Sequence, residues 1–110
     1  MTQMFFDNQK FFEFVKACRD IGITVPIIPG LKPITTKKQL SVLPRIFHVD
    51  IPTELSNQVM KCKSDTDVEA VGTEWLIQQS KELKVFGVPV LHYYTLGKPK
   101  VIWNVVKEVL

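Results

Sequence analysis

Cysteine is scarce in this chain of 110 residues: Cys18 and Cys62 are its only two. Two thiols make no disulfide scaffold and show no metal-ligand spacing, so they read as reduced thiols of a cytoplasmic protein. Long apolar runs are missing as well, and none approaches the roughly 20 residues a membrane-spanning helix needs. The opening MTQMFFDNQK lacks a basic leader and a long apolar stretch, so it shows no secretory signal. Glycine is sparse, and no P-loop, dinucleotide fingerprint, nucleophile elbow or zinc signature appears. The charge excess is only +3. Lysines are scattered among acidic residues, with Lys37-Lys38 the one adjacent basic pair, so the concentrated basic face of a nucleic-acid binder is absent.

What is present is a 45% hydrophobic chain whose pattern alternates between strand-like and helix-like segments. Thr2 to Phe6 is short, apolar and aromatic, as a buried strand is. Asp7 and Asn8 offer caps for a helix in which Phe11, Phe14, Val15, Cys18 and Ile21 share a face, with Gly22 as its stop. Ile23 to Ile28 is a second strand candidate, closed by Pro29-Gly30. Strand, helix and strand with short connections make a βαβ unit, which implies parallel strands. Thr35 or Thr36 caps a short helix through Gln39 and Leu43 that Pro44 helps to end. A second helix begins at Pro52, and a longer one follows Ser64-Asp65, carrying Val68, Val71, Trp75, Leu76 and Leu83 to a stop at Gly87. Val88 to Tyr94 is the third strand, and Val101, Ile102, Val105, Val106 and Val109 mark a last helix.

Three parallel strands make a poor independent sheet, because such sheets are covered on both faces and protected at their edges. The pattern therefore predicts an α/β protein that is a piece of a larger fold. Sites in parallel α/β folds gather at the carboxyl ends of strands, here Gln3 to Asn8, Pro29 to Thr36 and His92 to Lys98. Gln3 is either a polar residue near a chain end or an amide that addresses the edge of a heterocycle. Gln39 is a surface residue or a ligand contact. His92 has the character of a hydrogen-bonded core histidine, and Lys98 that of a solvated cation placed to meet a carboxylate or phosphate.

Three segments carry the argument further: TQMFFDNQKFFEFV, GITVPIIPGLKPI and GVPVLHYYTLGK. In this order they resemble the carboxyl-terminal part of the methylenetetrahydrofolate reductases, and the resemblance spans essentially all 110 residues. It implies that residues 1–110 are about the last three βα units of a flavin-dependent (β/α)8 TIM barrel, with no complete second domain. The family moves a hydride from NAD(P)H to FAD and then to 5,10-methylenetetrahydrofolate, giving 5-methyltetrahydrofolate. By resemblance, Gln3 addresses the pterin ring and the nicotinamide in turn, and Gln39 lies near the aminobenzoyl-glutamate tail. Lys98 stands where relatives place an arginine for the tail carboxylate, without the bidentate fork. Leu43 replaces a packing phenylalanine, and Leu96 packs on the aminobenzoyl ring. The FAD contacts are expected in the amino-terminal part of the barrel, so no cofactor-binding or metal residue is assigned to this chain. Exposed barrel edges imply self-association or a homo-oligomer, with no nucleic-acid or membrane partner. The alternative is a catalytically inactive stand-alone remnant of the barrel that self-associates or binds a ligand.

Overall fold

Asp7 starts the regular structure: its carboxylate accepts from the Gln9 N–H at 3.0 Å and caps α1 (Asn8–Asp20). The computed structural model describes residues 2–94 and 99–109. After α1 come β1 (Gly30–Leu31), α2 (Gln39–Phe47), α3 (Thr53–Met60), α4 (Asp65–Phe86), β2 (His92–Tyr93) and α5 (Pro99–Val109). β1 and β2 pair in parallel, with Gly30 opposite His92 and Leu31 opposite Tyr93. Met4 joins the other side of β1 through one parallel bridge to Gly30. The result is a mixed α/β arrangement of three parallel segments packed with helices.

The strands are shorter than the sequence pattern predicts. Thr2 to Phe6 contributes a bridge rather than a strand. Ile23 to Ile28 forms none, and pairing begins only at its end, where the Thr2 N–H donates to Ile28 O at 2.8 Å. Proline accounts for much of this: Pro26 and Pro29 have no N–H to give a ladder, and residues 21–26 lie exposed. Pro89 trims the third strand in the same way, leaving His92 N–H to Pro29 O at 3.1 Å and Tyr94 N–H to Leu31 O at 2.8 Å.

The helices follow the pattern more closely, with two corrections. α2 begins at Gln39 and has no side-chain cap from a threonine, and Pro44 lies inside it rather than ending it. Packing of Leu43 and Phe47 against the core carries the helix past the missing proline donor, and His48 closes it in the left-handed region at φ 54°. On α1 the face is narrower than the spacing predicts. Phe11 and Cys18 are buried, but Phe14 is 52% and Ile21 76% exposed. Ser64, placed by the sequence in a turn before the helix, caps α4 through the Asp67 N–H, and Gly87 ends it at φ 101° as the sequence predicts.

Two apolar clusters fill the interior. Met4, Phe6 and Ile34 meet Leu43 of α2, Leu55 and Val59 of α3 and Val68 of α4. Phe11, Leu31, Leu76, Ile77, Leu83, Val105 and Val109 form the other. α4 enters both, so it is the wall the clusters share. Each fully buried side chain of this size contributes about 2 kcal/mol.

The contact that sets the position of α4 is at Gly72. A Cβ there would overlap the carbonyl of Ile34 and lie within 2.9 Å of its carbon and nitrogen, all backbone atoms. Alanine is the better helix former by about 1 kcal/mol, but the overlap outweighs that gain. Gly72→Ala is expected to lower stability by about 3 kcal/mol. Urea unfolding checks this: an unchanged or raised midpoint would show that the helix does not rest on this strand end.

Candidate active site at the strand ends

Gln3 lies next to the Met4 bridge, exposed, and its Nε2 donates to the carbonyl of Phe47 at the end of α2. It stands between two clefts. One is an apolar groove of about 510 Å³, walled by Phe5, Phe11, Phe14, Cys18, Ile23 and residues 25–27. The other, about 470 Å³, runs along residues 3–7 and 47–50. Lys10 borders both. Its Nζ meets Asp50 Oδ2 at 2.8 Å, tying α1 to the loop beyond α2. Their shared hydrogen bond raises the Lys10 pKa and lowers that of Asp50. Both groups are exposed, so the pair orients more than it stabilises.

Gln39 faces its own helix start. Its Oε1 accepts from the Thr35 N–H at 2.7 Å and the Thr36 N–H at 3.4 Å, a reach-back that serves in place of a threonine cap. Leu43, one turn further on, is 3% exposed and packs in the first cluster. Gln3, Gln39 and Leu43 all touch or belong to α2, but at different points along it: Gln39 is at its amino end, Leu43 is buried in its middle, and Gln3 is bonded to its last carbonyl, so the structure does not gather them into one cleft. Leu96 and Lys98 lie outside the described residues.

On β1 and β2, Leu31 and Tyr93 face the helices, where Tyr93 shares a 2.8 Å hydrogen bond with Ser80 of α4. Burial raises the Tyr93 pKa, and the Ser80 bond opposes the shift. The opposite face carries Gly30, Lys32, His92 and Tyr94. The Tyr94 hydroxyl donates to Thr2 O at 3.2 Å, and Thr2 Oγ1 accepts from the Gly30 N–H at 2.9 Å. The Tyr94 ring so closely covers Gly30 that an added Cβ would lie 2.8 Å from it. His92 packs edge-on against that ring at 4.8 Å.

Lys32 was not among the residues the sequence singles out, yet it is only 4% exposed, with Nζ donating to Pro33 O at 2.9 Å. The one signal was a cation inside the apolar run PGLKPI. Burial lowers its pKa. Among the described residues no group of three or more His, Cys, Asp or Glu side chains could hold a metal ion, and no helix is long and apolar enough to cross a membrane. Gln3 and Lys10 thus border an apolar groove, with their donors engaged by Phe47 O and by Asp50.

A parallel α/β scaffold with its polar residues at the strand ends defines the class. The family model described as methylenetetrahydrofolate reductase matches residues 1–109, and the chain belongs to that family. It is 34% identical over 110 residues to a probable methylenetetrahydrofolate reductase (NADPH) of Caenorhabditis elegans, covering 98% of this chain and 17% of that one. It is 36% identical over 101 residues to methylenetetrahydrofolate reductase (NADH) 1 of Arabidopsis thaliana, covering 91% and 17%. With the 5,10-methylenetetrahydrofolate reductase of Salmonella typhimurium the identity is 30% over 106 residues, 96% of this chain and 36% of that one. The chain therefore spans between about a sixth and just over a third of the length of these relatives.

Two substitutions test the local assignments. Gln39→Ala removes the acceptor for two backbone N–H groups and is expected to cost about 1 kcal/mol, while Gln39→Glu keeps an acceptor and stays near wild type. Equal urea midpoints for all three would show that the reach-back contributes nothing. Lys32→Met is expected to stabilise the fold at pH 7. A buried lysine with a lowered pKa penalises the folded state while it is charged; the penalty is full below the folded pKa and falls away as pH rises to the unfolded value of 10.5, where the group is neutral in both states. The gain from Lys32→Met therefore shrinks as pH rises towards and past 10.5, and a constant gain across that range would refute the burial argument.

Proposed function

We propose that this chain is the substrate-binding end of a flavin-dependent oxidoreductase that reduces 5,10-methylenetetrahydrofolate to 5-methyltetrahydrofolate with NADH or NADPH. The observation that carries the reading is the family match over residues 1–109. Residues 1–110 correspond, in this reading, to about the last three βα units of a (β/α)8 barrel in a cytoplasmic enzyme. Three parallel segments with apolar grooves at both sides support it. One groove lies beside Met4 and α1, and the other, about 410 Å³, lies between residues 88–93 and α5. Further βα units on either side would cover both.

Within that site Gln3 is the amide that meets the pterin and the nicotinamide in turn, since one side chain carries both a donor and an acceptor. Gln39 and Lys98 address the glutamate tail, while Leu43 and Leu96 supply apolar contact. In this reading the FAD contacts belong to the amino-terminal part of the barrel. FAD, when bound by the rest of the barrel, supplies the relay of hydride between the two substrates. This chain's part is to bind and orient.

A second reading is favoured by the exposed Phe14, Ile21, Val25, Val85 and Phe86: a catalytically inactive remnant that self-associates through these surfaces. The native polypeptide carrying these residues separates the two. A yellow protein in which Gln3→Glu slows both flavin reduction by NAD(P)H and reoxidation by the folate about tenfold supports the reductase, since a lost donor of about 1.4 kcal/mol has that effect. Wild-type rates in both halves would remove Gln3 from the site. A colourless product that sediments as an oligomer would favour the remnant.

A further inference from the structure

Gln3 belongs to a segment that joins the sheet through one bridge, at Met4. That bridge pins Met4 but leaves the residue before it to be held by other bonds. The two peptide planes that flank the Gln3 Cα are each tied. The plane before it carries Thr2 O, which accepts from the Tyr94 hydroxyl at 3.2 Å. The plane after it carries Gln3 O, which accepts from Thr2 Oγ1 at 2.9 Å. That hydroxyl oxygen in turn accepts from the Gly30 N–H at 2.9 Å, and the Thr2 N–H donates to Ile28 O. Because each peptide is planar, holding two successive carbonyls sets the Cα–Cβ direction between them. Tyr94 makes its tie by lying across β1. His92 pairs with Gly30, and the Tyr94 ring leans back over that glycine to reach the first segment. The path is open only over a glycine, since a Cβ on Gly30 would lie 2.6 Å from Thr2 O and 2.8 Å from the ring. His92 meets the ring edge-on at 4.8 Å and steadies its tilt.

We propose that Tyr94 is a positioning residue: through the Thr2–Gln3 peptide it sets the direction in which the Gln3 amide is presented. The proposal rests on the reading of Gln3 as the amide that meets the substrates. Bulk does not account for the tyrosine. A phenylalanine would pack equally against His92 and the first apolar cluster, so what the hydroxyl adds is the tie to Thr2 O. Its proton is committed to that carbonyl, and its part is to hold. With the tie released, the Thr2–Gln3 peptide is free to turn about its flanking bonds. The Gln3 side chain then swings away from Phe47 O and from the two clefts it stands between. Three segments distant in sequence thus converge on the backbone of a single exposed residue, at the carboxyl-end face where parallel α/β proteins carry their chemistry.

The test uses Tyr94→Phe, which keeps the ring and removes the tie, and Thr2→Val, which removes the hydroxyl that holds the other plane. In the full chain with isotope-labelled glutamine, both are expected to move the side-chain NH2 NMR signals of Gln3 and to speed their exchange with water about fivefold. The signals of Gln79, whose Nε2 is tied to Phe5 O, stay in place. In the native polypeptide carrying these residues, both variants slow flavin reduction and flavin reoxidation about fivefold, with KM for each substrate changed by less than about twofold. Thr2→Ser, which keeps a hydroxyl, recovers the rates lost in Thr2→Val. A lowered urea midpoint with unmoved Gln3 signals would mean that the tie only supports the fold, and would overturn the proposal. So would a rate loss in Tyr94→Phe that Thr2→Val does not reproduce, because Tyr94 would then act on the ligand itself. Moved signals with wild-type rates in both halves would uphold the positioning while taking Gln3 out of the site, which separates failure of the functional reading from failure of the proposal.

Discussion

The close approach of α4 to the backbone of Ile34 is the constraint on which the other contacts depend. A helix normally keeps its neighbours at side-chain distance, but at Gly72 the helix backbone rests on the strand-end backbone itself. That approach aims the polar side chains of the next two turns at the other strand segments. The Trp75 indole donates to Phe6 O at 2.9 Å, Gln79 donates to Phe5 O, and Ser80 meets Tyr93. One helix therefore holds all three parallel segments: the first through Phe5 and Phe6, the second through Ile34, the third through Tyr93.

This explains how two-residue strands persist. Their ladder is too short to organise a sheet, so the order comes from a helix whose side chains reach carbonyls the ladder leaves unused. The same logic accounts for buried polar residues in an otherwise apolar interior. Asn8, Gln79 and Ser80 are buried and hydrogen-bonded to strand-end or helix partners, apart from the two amide oxygens that face no donor. Specificity of register here is a property of polar ties rather than of apolar bulk.

Helices and their ends were legible in the sequence because capping and periodicity are local. Asp7, Ser64 and Gly87 act as their residue types predict, and Val68, Leu76, Leu83, Val101 and Val105 are buried where spacing puts them. The strands were legible only as places, since apolar content cannot say which backbone donors find partners, and Pro26, Pro29 and Pro89 shifted or shortened the second and third runs. The tight contact at Gly72 was invisible, because a glycine inside a helix pattern gives no hint of what it touches. Lys32 and the Asn8–Gln79 pair were missed for a related reason: their burial is created by chain segments distant in sequence. Of the candidate site, Gln3 and Gln39 could be singled out by type and by resemblance, but their connection could not.

That connection runs through α2 and bears on how the site works. Gln39 holds the first turn through Thr35 and Thr36, and Gln3 holds the last carbonyl through Phe47. Leu43 lies between them, seated in the core. If Gln3 turns its amide to a ligand, its donor must leave Phe47 O, while the His48 N–H to Pro44 O bond and the packing of Leu43 and Phe47 still hold that end of α2. Pro44 lies between these ties and removes one helical hydrogen bond next to Leu43, so α2 depends on them and on its core packing rather than on its own ladder alone. Gln39 and Gln3 thus tie the two ends of one helix to the segments that follow β1 and flank Met4.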